Sequence, residues 1–197
     1  MRILSGFLAG FFCGGVRMGG AAEKKSSSAD GAMMEAMKRV APGEAHGVLQ
    51  PLVGTWTCTV KGWMTPGDKP LDSKGTAESR WVFGGRFVQQ DFEGDWAGQS
   101  FEGVGYTGYD NLRQEYVSVW MDNMSTGMMQ VTGSFDSKSR VLQFKGHFSC
   151  PITGEKNRWV RSEAKIIDND HNTYTSTFLN SDGKEFKSME ITYTRKK

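Results

Sequence analysis

The stretch Tyr116-Val-Ser-Val-Trp120-Met-Asp122 alternates two unlike faces. Successive side chains of a strand point to opposite sides. Tyr116, Ser118, Trp120 and Asp122 therefore share one face, and Val117, Val119 and Met121 share the other. An indole beside a hydroxyl and a carboxylate suits a ligand with an apolar body and a polar handle. Trp120, Asp122 and Ser118 are accordingly candidate ligand-binding residues. Gln90 and the adaptable Met124 could complete the cavity, with Gln89, Met128 and Met129 as neighbours of the same kind. The alternative is that the Val/Met face is core and the aromatic–polar face meets solvent.

Residues suited to catalysis are sparser. The chain has no nucleophile elbow, phosphate loop or dinucleotide fingerprint. Gly103-Val-Gly105-Tyr-Thr-Gly108 has GxGxxG spacing, but it lies within strand-alternating sequence with no helix after it. We read these as strand glycines that let a barrel bend. Asp110, Asp136 and Asp168 each precede a polar turn, where a carboxylate accepts backbone N–H bonds, so turn capping outweighs metal ligation. His46, His147 and His171 show no ligand spacing, and there is no CxxC. No catalytic residue, metal or cofactor is assigned. The enzymatic alternative is a carboxylate such as Asp122 or Glu78 acting as acid/base inside a barrel, with a raised pKa as its sign.

These candidates sit on strands. From Val53 onward the hydrophobic period is two, and ten strands are expected near 53–63, 74–83, 86–94, 99–109, 115–122, 127–135, 140–149, 156–167, 173–179 and 185–195. Pro66-Gly67-Asp68, Gly84-Gly85, Asp122-Asn123, Pro151 to Gly154 and Asp182-Gly183 mark turns between them. So long an antiparallel meander leaves exposed edges unless it closes, which predicts an all-β closed barrel of about 8–10 strands. Two short helices are expected before it, at 32–40 and 44–49, with Pro42 near the start of the second and Pro51 ending it.

The N-terminus reads as an export signal. Arg2 precedes the apolar Ile3–Val16 run, which is too short to span a bilayer, and Gly20-Ala21-Ala22 offers a cleavage site before Glu23. The domain plan is then a signal peptide at 1–22, a polar linker at 23–31 and one barrel domain at 32–197, periplasmic or secreted and without a stable membrane span. Cleavage would remove Arg2 and Arg17 from 24 basic residues and leave 22 of each sign. That balance gives no steering toward polyanions, so nucleic acid is not an expected partner. Cys58 and Cys150 read as buried thiols on separate strands, with a disulfide as the alternative in an exported chain.

Gly54-Thr-Trp56 after a short helix, with Arg195 near the end of the last strand, resembles the calycin barrels, the lipocalins and their relatives. The resemblance implies that Gly54, Trp56 and Arg195 close one end of the barrel, the guanidinium lying across the indole. Ten strands look more like the haem-binding nitrobindin type than the eight-stranded lipocalins. That type holds haem through a His near the barrel end, and Glu185–Arg195 contains none. A closer likeness spans nearly all of residues 32–195. PGEAHGVLQPLVGTW, GGRFVQQDFEG, FEGVGYTGYDN, YVSVWMDNMSTGMM and ITYTRK look like the bacterial domain-of-unknown-function family 1579. That family implies a calycin-like barrel and no agreed activity. The expected function is binding of a small, mainly apolar ligand without catalysis. The alternatives are an enzyme or an envelope protein with a filled barrel.

Overall fold

In the computed structural model, residues 22–180 and 182–197 are described. The expected signal peptide lies outside the described residues except for its last position. The chain divides into two units, the first ending at Lys38 and the second running from Arg39 to Lys197. The first contains most of helix α1, Ala22–Arg39, which takes in the segment read as a polar linker. Met33, Met34 and Met37 are exposed on it.

The second unit is a closed barrel of ten antiparallel strands in the order β1-β10-β9-β8-β7-β6-β5-β4-β3-β2. The strands are β1 Gly54–Gly62, β2 Leu71–Val82, β3 Phe87–Trp96, β4 Gln99–Asp110 and β5 Glu115–Asp122. They continue with β6 Met129–Asp136, β7 Val141–Phe148, β8 Arg158–Ile166, β9 His171–Leu179 and β10 Glu185–Arg195. Every sequence neighbour pairs as a hairpin, and β1 with β10 closes the ring from Trp56↔Arg195 to Gly62↔Met189. The β3–β4 hairpin turns on Ala97-Gly98, both at positive φ, which was not among the expected turns. Two residues of that conformation match the twist of the flanking strands.

Up-and-down order puts the β2–β3, β4–β5, β6–β7 and β8–β9 turns at the end where β1 starts. There the short helix α2, Glu44–Gly47, and the 3-10 turn Gln50–Leu52 form a plug. Leu49 is fully buried and packs with Val88, Tyr116, Val131, Leu142, Phe144 and Val160. Polar groups pin the plug to the walls: Tyr116 Oη donates to Ala45 O at 2.8 Å and Trp81 Nε1 to Gln50 Oε1 at 2.7 Å. Asn111 Nδ2 donates to the carbonyls of Arg39 and Ala41.

Asp110, Asp136 and Asp168 cap their turns, accepting from the backbone N–H of Leu112, Lys138 and Asp170 at 2.8, 2.9 and 2.7 Å. Among the described residues no His, Cys, Asp or Glu group could hold a metal, and no helix is long and apolar enough to cross a membrane.

Candidate functional site

Pairing register decides which face of each strand looks inward, since directly paired residues share a face. Trp120 pairs with Gly105 and Met129, and Ser118 with Thr107 and Val131. Val131 and Tyr116 are buried at 5% and 4% exposure, so this is the inner face. The aromatic–polar face of β5 therefore lines the barrel, and Val117, Val119 and Met121 form the outer wall. Phe148 is likewise inside and His147 outside, paired with Trp159.

Trp120 lies flat along the wall. A Cβ on Gly103 would sit 2.3 Å from its ring and one on Gly105 2.9 Å away. The two glycines thus form a seat for the indole, a role beyond the bending expected for them. Phe101 stacks on Trp120 at 6.4 Å between centroids and 10° between planes. Trp120 Nε1 donates to Asp122 Oδ2 at 2.8 Å, and Met124 N donates to Asp122 Oδ1 at 3.0 Å. Both carboxylate oxygens are engaged, and the pair fixes the ring. Gln90 points inward and donates to Ser79 Oγ at 3.2 Å, while Gln89 faces outward and bonds Asp91. Thr107 and Ser118 hydroxyls bond each other at 2.9 Å. Glu78 lies exposed on the outer wall between buried Ala77 and Ser79, which removes it as an interior acid/base.

Further inward-facing residues join Trp120. Trp96, Phe101, Tyr174 and Met189, from β3, β4, β9 and β10, pack beside Trp120 against buried Trp56, Phe92, Ile191 and Tyr193. All five are only half-buried although they lie on the inner face. Tyr174 pairs in the sheet with Ala164 on one side and Ile191 on the other. Burial pushes its phenol up, against hydrogen bonds with Ser162 and Ser176 that pull the other way. Tyr193 is raised further, by burial and then by nearby Cys58 and Tyr174, and burial pushes the Cys58 thiol up to about 12. The middle of the lumen thus keeps its titratable groups neutral.

The end opposite the plug is the mouth. The β5–β6 and β7–β8 loops there border an open cleft of about 500 Å³ lined in part by Asn123, Met124, Gly127, Cys150, Glu155 and Lys156. Met124 is thus a mouth residue, whereas Trp120, Ser118 and Gln90 lie within the barrel and Asp122 joins the two. Cys150 and Cys58 are both free and buried. Burial works to raise the Cys150 thiol, but hydrogen bonds from Thr153, Arg158 and the Ile152 backbone outweigh it and the net shift is downward. Arg158 lies over the Phe178 ring at 4.8 Å and donates to Leu179 O at 3.2 Å and Cys150 Sγ at 3.4 Å.

At the plug end, Arg195 Cζ stands 4.2 Å from the centre of the Trp56 ring. Its Nη1 and Nη2 donate to Val53 O at 2.8 Å and Pro51 O at 3.2 Å, and its Nε to Asn169 O at 2.6 Å. Trp56 Nε1 donates to Leu52 O at 3.1 Å. Gly54 has φ +138°, and a Cβ there would meet Arg195 Nη1 at 2.0 Å, so backbone and contact both exclude a side chain. His46 is 4% exposed and accepts from Gly43 N through Nδ1 at 3.1 Å. Burial, then the nearby Arg86 charge, lower its pKa from 6.5, against a hydrogen bond to the Tyr109 backbone. The native state therefore prefers neutral His46, and the unfolded chain binds the extra proton first. This contribution to stability is complete above pH 6.5 and falls as pH drops from 6.5 toward the native pKa. Thermal melts from pH 8 to 5 should show that loss, and His46→Asn, which keeps an acceptor without a titrating proton, should remove its His46 share.

No curated protein matches the chain. Among solved structures, Rv2717c from M. tuberculosis is similar at 13% identity and a TM-score of 0.58, over 80% of this chain and 100% of that one. The S-type phycobiliprotein lyase CPES from Guillardia theta is similar at 8% identity and a TM-score of 0.56, over 77% of this chain and 92% of that one. At such identities the likeness is one of fold alone. The ten-stranded barrel, its plug and its lumen lie within residues matched, from 41 to 195, by the family described as "Protein of unknown function (DUF1579)", and the chain belongs to that family.

Proposed function

We propose that the protein is an exported barrel that holds a small, mainly apolar molecule in its interior without catalysing a reaction on it. The supporting observation is the set of inward-facing Trp96, Phe101, Trp120, Tyr174 and Met189, which are only half-buried although they lie on the inner face of a closed wall. Flat aromatic faces with one adaptable thioether suit an apolar body. The carboxylate of Asp122 already receives two donors and acts as a brace for Trp120.

Native mass spectrometry of protein purified from its own cells tests the reading, with a retained small molecule as the expected result. An apolar fluorophore such as Nile red gives a second measurement. Trp120→Ala should weaken its binding at least tenfold, equivalent to about 1.4 kcal/mol. A wild-type protein that neither retains a molecule nor binds the dye would overturn the reading. Export has its own check, motivated by the apolar Ile3–Val16 run. N-terminal sequencing of the protein from its source should begin near Glu23, and intact Met1 on cytoplasmic protein would remove that element.

A further inference from the structure

The charged side chains that face inward are Asp122 and Arg158 near the mouth and Arg195 at the plug, among the described residues. Each is already engaged. Asp122 has Trp120 and Met124, Arg195 has three backbone carbonyls and an indole, and Arg158 has Leu179, Cys150 and Phe178 together with the Glu155 carboxylate, 3.4 Å from an Nε that makes no hydrogen bond of its own. An ionic group entering the lumen would shed its water and meet no free counter-charge, and burying an unpaired charge is strongly unfavourable.

Neutral polar groups are abundant by contrast. Ser176 and Tyr174 line β9, with Ser162 paired across from Ser176. On β10 the register shifts between Lys187 and Met189. Lys187 is exposed, with its ammonium over the Trp63 ring on the outside. Ser188 follows on the opposite face, and the bulge lets it share the inner side with Met189, which pairs with Ser176. Ser188 is 6% exposed and its hydroxyl has no hydrogen-bond partner. A buried hydroxyl without a partner is costly, and a ligand oxygen would satisfy it.

We infer that the lumen selects an uncharged amphiphile carrying a hydrogen-bonding oxygen, such as an alcohol, whose oxygen meets the Ser188 and Tyr174 side of β9 and β10 while its body lies against Trp96, Phe101 and Trp120. The inference rests on the interior-binding reading above and narrows its ligand class. The neutral forms favoured at Tyr174, Tyr193 and Cys58 agree with it.

Competition against bound Nile red at pH 8 tests it, with 1-decanol, its methyl ether, decanoate and decyltrimethylammonium as probes. Decanol should displace the dye at concentrations at least tenfold below either ion and several-fold below the ether. Ser188→Ala and Tyr174→Phe should each reduce the decanol-to-ether ratio toward one, with near-UV circular dichroism confirming the fold. Nile red bound but displaced best by decanoate or the ammonium overturns the neutral-ligand inference and leaves interior binding standing. An alcohol no better than its ether removes the role of the β9–β10 hydroxyls. Failure of Nile red itself to bind overturns the neutral-amphiphile inference, and the interior-binding reading falls with it when native mass spectrometry also finds no retained molecule.

Discussion

Trp56→Ala should lower the unfolding free energy by about 3–5 kcal/mol, because it deletes a core side chain and leaves a cavity that the barrel walls cannot collapse to fill. Trp56 is 1% exposed, sits under Arg195 and packs edge-on against Tyr193 at 6.4 Å. The guanidinium–indole contact itself contributes on the order of 0.5–2 kcal/mol. Arg195→Lys should recover little of the loss in Arg195→Ala, since an ammonium cannot span the carbonyls of Pro51, Val53 and Asn169 in one plane. Urea melts of the single and double mutants give the Trp56–Arg195 coupling directly. Additive losses would mean that the 4.2 Å contact carries no energy of its own, and the barrel-closing role proposed for the pair would have to be withdrawn.

Gly103→Val should injure stability and binding together. Its Cβ would fall 2.3 Å from the Trp120 ring, so the indole has to leave its seat. Overpacking of this kind costs about 1–3 kcal/mol. The displaced ring also loses its Asp122 bond and its stack on Phe101. Nile red affinity should therefore fall at least tenfold, as in Trp120→Ala. Ser134→Val, at an exposed position on β6, is the control for a generic effect of valine on a strand and should change neither quantity much. Retention of full dye affinity in Gly103→Val would mean that the seated ring does not form the binding wall.

The barrel was legible because its strands follow a period of two and its turns carry Gly, Asp and Pro at the reversals. Expected and observed strands agree to within about three residues, as at Leu71 and Trp96, where pairing extends beyond the alternating core. The lumen was only half legible. Alternation on β5 separates two faces but does not say which is inner. The deciding signal lies on another strand, where Gly103 and Gly105 stand opposite Asp122 and Trp120 and make room for an aromatic on the inner side. Trp96, Phe101 and Tyr174 were missed for a related reason. They meet only through the curvature of strands distant in sequence, which local pattern does not encode. The helical reach of α1 back to Ala22 escaped because its Lys and Ser run has no apolar stripe to mark it.

The Arg195–Val53 bond links residues 142 apart, whereas every other strand pair in the barrel is a hairpin between sequence neighbours. Bringing ends so distant together costs about 2 kcal/mol more loop entropy than closing a hairpin of roughly ten residues. The meander can therefore zip from hairpin to hairpin quickly, while the β1–β10 ladder waits for the whole sheet to curl. Folding should be slow for the chain's size, with closure in the rate-limiting step. A nascent chain lacking β10 has no partner for β1, so two sheet edges stay open until the last strand arrives. That interval is when the protein is most exposed to aggregation.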